Sequence, residues 1–150
     1  MRKQRGFEVA EGFYGKVVDL PVRGTSGSAG YDFRVLNNAI IPPGETRKFD
    51  TGIKAYMLQD EVLKLYIRSS LGIKKNVVLS NVVAVIDHDY FSNPTNDGHI
   101  IIALRNEGEE SVEILAGDRV AQGIFEKYLL IDDDEPLSYV RLSGIGSTGK

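Results

Sequence analysis

The chain has 150 residues, no cysteine, a formal net charge of -3 and a sequence pI near 5.4. That length suffices for one domain with a single core and excludes disulfide staples and thiolate metal sites. The acidic balance disfavours non-specific nucleic-acid binding, and the stretch after the basic start carries Glu8 and Glu11 instead of a long apolar run. No signal peptide or membrane span is therefore expected, and a cytoplasmic protein is.

From Phe7 onward, apolar runs of strand length alternate with turn signals, and no segment keeps a helical period over three turns. The pattern predicts an all-β chain, as a sandwich, jelly roll or barrel. Residues 24–30 are small and flexible, suited to letting backbone pass close to a neighbour or a ligand. Turns are expected at residues 42–44, 50–52, 106–108 and 116–118. Strands are expected at residues 63–68, 99–104 and 119–128, and a short helical turn or loop at 71–76.

Residues 77–90 draw attention first. Two β-branched runs, 77–79 and 82–86, flank Ser80-Asn81 and predict a buried hairpin with a tight connection. Its end is charged. In an extended chain Asp87 and Asp89 point to one side and His88 to the other. A carboxylate at the rim of an apolar strand can polarise a water; it can equally be a hairpin end reaching solvent. Residues 91–98 form a polar loop before the next strand, residues 131–136 an acidic link, and residues 143–150 a glycine-rich tail with too few apolar side chains to order itself.

Several pieces have chemistry compatible with phosphate. Residues 146–150, Gly-Ser-Thr-Gly-Lys, offer amides, hydroxyls and a cation without Walker spacing, and alone read as a frayed end. Arg68-Ser69-Ser70 joins a guanidinium fork to hydroxyls, and Gln122 is able to donate to an anion; both residue types are also ordinary surface decoration. His88 and His99 lie near carboxylates, but their spacing does not favour a zinc site, so solvated histidines are expected.

Five motifs follow one another in order: residues 29–33, residues 68–72, Asn81 with residues 84–90, residues 117–122 and residues 144–149. From about Leu20 to the end, this succession closely resembles the five-motif layout of the trimeric dUTPases. The resemblance implies a jelly-roll-like β domain over residues 1–142, a lid over residues 143–150, and a homotrimer with active sites at subunit interfaces. It implies hydrolysis of dUTP to dUMP and pyrophosphate, lowering dUTP and supplying dUMP for thymidylate synthesis.

By the same resemblance, Asp87 activates the water that attacks the α-phosphorus. Asn81 and Ala84 receive uracil, Tyr90 packs on deoxyribose, and Ile145 stands where the family usually stacks an aromatic ring. Arg68, Ser69, Ser70, Gln122, Arg141, Gly146, Ser147 and Thr148 correspond to phosphate-binding positions, and Asp32 to a supporting carboxylate. Mg²⁺ is expected to be held by substrate phosphates and waters, with no direct protein ligand; neither nucleic acid nor membrane is an expected partner. Ser70 and Ala84 replace frequent glycines, Arg141 lies closer to the glycine segment than in the common pattern, and residues 91–97 are an insertion. The related dCTP deaminases share Arg-Ser-Ser-Leu, but Gly72-Ile73 and Ala103 stand where that family has Ala-Arg and a catalytic glutamate. A dUTPase-like regulatory protein with weakened catalysis is the third reading.

Overall fold

The computed structural model describes residues 2–138 and 140–144. The strands are β1 (Gly6–Val9), β2 (Val22–Arg23), β3 (Tyr31–Arg34), β4 (Ala39–Ile41), β5 (Thr46–Asp50), β6 (Ile53–Tyr56) and β7 (Glu61–Ile67). A single α-helix, α1 (Ser69–Lys75), precedes β8 (Val77–Leu79), β9 (Ala84–Asp87), β10 (Ile101–Asn106), β11 (Val112–Ile114) and β12 (Arg119–Lys127). All pairings among the described residues are antiparallel. A five-stranded sheet runs β2-β3-β12-β7-β9 and a three-stranded sheet runs β5-β10-β8, with the pairs β1-β6 and β11-β4 beside them. This is the all-β architecture expected from the alternation of strands and turns, in the jelly-roll-like form that the resemblance implies.

Alternation explains the core. Phe33, Leu63, Leu65, Val120 and Ala121 from the larger sheet are buried in one cluster with Phe49, Val77, Leu79, Ile102 and Leu104 from the smaller. Burying side chains of this size contributes about 1.5–3 kcal/mol each, so strand register is set by which residues must face inward. At the start of β7, Glu61 is buried but takes three hydrogen bonds from the Arg5 guanidinium and one from the Leu58 amide. Arg5 first, with the Leu58 amide, holds that carboxyl below its usual range against the opposing effect of burial.

The expected turns at Gly44 and Gly117 are present, each with a positive-φ glycine, whereas residues 50–52 link β5 to β6 without a turn, through Gly52 at φ 72. Two further local expectations are corrected. β8 and β9 are not a hairpin: β8 pairs with β10 in the smaller sheet, whereas β9 pairs with β7 in the larger. Ser80-Asn81 lacks the glycine that tight two-residue hairpin loops favour; instead the chain turns through Val82 at φ 65 and passes between sheets. Val77 and Leu79 of the first run are buried, whereas the second run packs Ala84 and Ile86 against the core and leaves Val82 and Val85 exposed, so only the first half of the expected buried hairpin is buried. His99 is not solvated either. It is buried, stacks on Phe13 with centroids 4.4 Å apart, and accepts the Gly52 amide at Nε2. His88, by contrast, is exposed, with Nδ1 2.9 Å from the Met57 carbonyl. No helix among the described residues is long and apolar enough to cross a membrane.

Candidate active site

β9 lies at the edge of the larger sheet, where Ala84 and Ile86 pack against the core while Val85 and Asp87 face outward. Asp87 closes the strand, and residues His88–Tyr90 then form a 3-10 turn, so extended alternation stops at that point. Asp87 and Asp89 nevertheless share one partner. Arg141 approaches Asp87 Oδ2 with Nη2 at 2.8 Å and Asp89 Oδ1 with Nε at 2.5 Å. The Arg141 side chain is only 14% exposed, whereas the two carboxylates are about half exposed.

Tyr90 is fixed at its far end. Its hydroxyl donates to the His99 carbonyl at 2.6 Å and accepts from the Asn96 amide at 2.8 Å. Gly144 passes so close that a Cβ there would stand 3.0 Å from Tyr90 Cε2. The inserted segment is therefore a built loop, tied to Tyr90 and also, through Thr95, to the Leu142 carbonyl. Asp97 anchors it from the other side, accepting from Lys54 and from the Glu11 amide, each at 2.8 Å. Burial is the largest influence on that carboxyl and raises it, but the Lys54 bond and charge, the Glu11 amide and the Ser92 hydroxyl together hold it below its ordinary value.

A second cluster forms where β3, β7 and β12 meet. Asp32 stands opposite Gln122 in the β3–β12 register, and its carboxylate lies 3.4 Å from both Arg68 Nε and Arg119 Nη1. Gly30 lets the backbone press on Gln122: a Cβ would fall 2.6 Å from Gln122 Oε1 and 2.9 Å from its Cβ. Ser69 and Ser70 are exposed on the first turn of α1, immediately after Arg68. A cavity of about 350 Å³ beside this cluster is lined by Arg34, Arg68, Ser70, Lys74, Lys75 and Arg119, with Glu113 and Asp118 among its other walls.

The structure thus brings Asp87, Tyr90 and Arg141 together, and Asp32, Arg68 and Gln122 together, but keeps the groups apart. Asp87 is opposite Val62 on β7, and Arg68 lies six residue steps further along, about 20 Å at strand spacing. Asn81 is exposed in the turn that precedes Ala84. Ile145, Gly146, Ser147 and Thr148 lie outside the described residues. Asn96, Thr95 and Arg119 were not singled out by the sequence. Asn96 and Thr95 sit in a polar loop of ordinary appearance, and only the order of motifs, which places that loop directly after Tyr90, hints at them. No group of three or more His, Cys, Asp or Glu residues suited to a metal occurs among the described residues.

Comparison with known proteins gives one answer. Residues 16–149 match the model of the dUTPase family. The chain is 45% identical to a deoxyuridine 5'-triphosphate nucleotidohydrolase of Lactococcus lactis subsp. lactis over 148 residues, 98% of this chain and 99% of that one. It is 40% identical to the nucleotidohydrolase of the same name from Escherichia coli over 114 residues, 74% of this chain and 72% of that one. The crystal structure of a dUTPase from Streptococcus mutans superposes with a TM-score of 0.76 at 45% identity, covering 85% of this chain and 98% of the other.

Proposed function

The chain belongs to the dUTPase family and is a dUTP hydrolase, and we propose that its chemistry is centred on Asp87. The observation that carries this reading is an outward-facing carboxylate at the end of an otherwise apolar edge strand, beside a tyrosine whose hydroxyl is fixed from two sides. Asp87 orients a water through Oδ1, Oδ2 being taken by Arg141, and accepts its proton as the water oxygen attacks the α-phosphorus. The bond from that phosphorus to the bridging oxygen of the β-phosphate breaks. dUMP and pyrophosphate leave, and the proton passes from Asp87 to solvent.

Recognition is assigned along the same strand. Asn81 and the backbone about Ala84 hydrogen-bond the uracil edge, which rejects cytosine by its reversed donor and acceptor pattern. The Tyr90 ring packs on deoxyribose. Arg68, Ser69, Ser70 and Gln122 bind the phosphate chain, where preorganised donors stabilise charge as the anhydride breaks. Asp32 supports Arg68 through their 3.4 Å contact. Arg141, Gly146, Ser147 and Thr148 complete the phosphate site as the lid formed by residues 143–150 closes, and Ile145 gives uracil an apolar contact. A Mg²⁺ ion would be held by the substrate's phosphates and waters and would supply charge neutralisation along the phosphate chain. This fits a site whose carboxylates are already engaged by Arg68, Arg119 and Arg141.

The roughly 20 Å between Asp87 and Arg68 along β7 supports a site shared between copies of the chain in a homotrimer. No single subunit would then hold both the activating carboxylate and the phosphate cluster of one site. Hydrolysis in ¹⁸O-water tests the direction of attack: the label is expected in dUMP. Label found only in pyrophosphate would place attack at the β-phosphorus and overturn the role of Asp87.

A further inference from the structure

We infer that Asn96, in the inserted loop, is a positioning residue for sugar discrimination, acting through the hydroxyl of Tyr90. The inference rests on the reading of Tyr90 as the wall against deoxyribose. The loop has a rigid frame: Asn93 is 5% exposed, donates to the Tyr90 carbonyl at 2.8 Å and to Asn96 Oδ1 at 2.7 Å, and accepts the amides of Thr95 and Asn96 at its own Oδ1. Asn96 Oδ1 also takes the Gly98 amide at 3.1 Å. A backbone N–H can only donate, so these partners fix which end of the Asn96 amide is oxygen and turn its nitrogen toward Tyr90.

The hydroxyl is equally determined. The His99 carbonyl can only accept, so the proton of Tyr90 points there, and the lone pair left over receives the Asn96 N–H. A phenol held by one donor and one acceptor has lost its freedom to swing about χ1, and the edge of its ring is set relative to β9. Whether a wall excludes one extra hydroxyl on the sugar depends on a displacement of about an ångström, which is the scale such second-tier contacts control. Gly98 closes the same loop at φ +85, where a Cβ would stand 2.8 Å from the Tyr90 carbonyl, so the segment returns tightly beneath the residue it positions.

The discriminating variant is Asn96→Asp, which keeps an oxygen for Asn93 and Gly98 but replaces the donor facing Tyr90 by an acceptor. The hydroxyl proton is then drawn from His99 toward the carboxylate, and the ring shifts. The readout is the ratio of kcat/KM for UTP to that for dUTP, measured for the parent, N96D, Y90F, Y90A and the N96D/Y90F double variant. N96D and Y90F are each expected to raise the ratio about tenfold, the scale of one lost hydrogen bond, and the double variant no more than either alone. A parent ratio in N96D alongside a shifted Y90A, or a roughly hundredfold shift in the double variant, overturns the role of Asn96 alone. A parent ratio in Y90A overturns the assignment of Tyr90 to the sugar, and the inference with it.

Discussion

Arg141 holds Asp87 and Asp89 on one guanidinium, at 2.8 and 2.5 Å, with 14% of its side chain exposed. This contact joins the root of the C-terminal arm to the end of β9. Together with the Thr95 bond to Leu142, it brings Gly144 to the Tyr90 ring. The carboxylates are about half exposed, so the pair contributes little to stability, about 1 kcal/mol or less; its importance lies in placement.

Asp87→Asn retains the shape of the side chain and an oxygen for Arg141 but cannot take a proton from water. Turnover of dUTP should fall by about 10²–10⁴-fold, as for loss of a positioned base, while Tm stays within about 2 °C of the parent. Steady-state pyrophosphate release and a thermal melt check both halves. Turnover at the parent rate would remove Asp87 from the mechanism.

Arg141→Ala should raise KM for dUTP about tenfold or more, because the arm loses its root and the phosphates lose a cation, with Tm almost unchanged. Kinetics over a dUTP series, paired with a melt, separate this from general destabilisation. An unchanged KM would mean that Arg141 neither meets the phosphates nor roots the arm for substrate binding.

The proposed sharing of sites between the subunits of a homotrimer predicts complementation. Asp87→Asn and Arg68→Ala should each be nearly inactive alone, yet partial activity should return after the two are unfolded and refolded together, because mixed trimers contain some sites with both intact groups. Refolded mixtures that stay as inactive as the separate variants would show that each chain supplies its own complete site, in conflict with the separation along β7.

Gly30→Ala places a Cβ 2.6 Å from Gln122 Oε1 and 2.9 Å from Gln122 Cβ. The side-chain tip can rotate away, but Cβ moves only with the β12 backbone. Gln122 should be displaced from the Asp32–Arg68 cluster, at a stability cost of about 1–3 kcal/mol, with a rise in KM that Gln122→Ala should reproduce. The melting temperature and KM of the two variants test this directly; a Gly30→Ala protein with parent KM would separate Gln122 from the phosphate chain.

Burial holds His99 below its ordinary value of 6.5, only partly offset by the charge of Asp50. The unfolded chain therefore takes up a proton here before the folded one does. The stability that follows is fully present above about pH 6.5 and is lost as pH falls through the lower folded-state value. Protonation also abolishes the acceptor for the Gly52 amide. The melting temperature should drop between pH 7 and pH 5.5 in the parent, and that slope should flatten in His99→Gln, whose amide oxygen can still accept. An identical slope in both would assign the acid sensitivity to other groups.

Period-two alternation and glycine-marked turns were enough to show an all-β domain, because both are local properties of the chain, and the motif order around Arg68, Asp87 and Gln122 pointed to a nucleotide hydrolase through its resemblance to the dUTPases. The partner of each strand was not legible. Residues 77–79 and 82–86 have the composition of a hairpin, yet burial is satisfied by pairing β8 with β10 and β9 with β7, a choice that depends on the other strands present. His99 gave no sign of burial, since its acceptor role requires the distant Gly52 amide. Likewise, only packing joined Arg141 to Asp87, Asn96 to Tyr90 and Asp32 to Arg68. Sequence pattern specifies which residues must leave water and which carry charge; hydrogen-bond partners remote along the chain are selected only when the sheets close around the core.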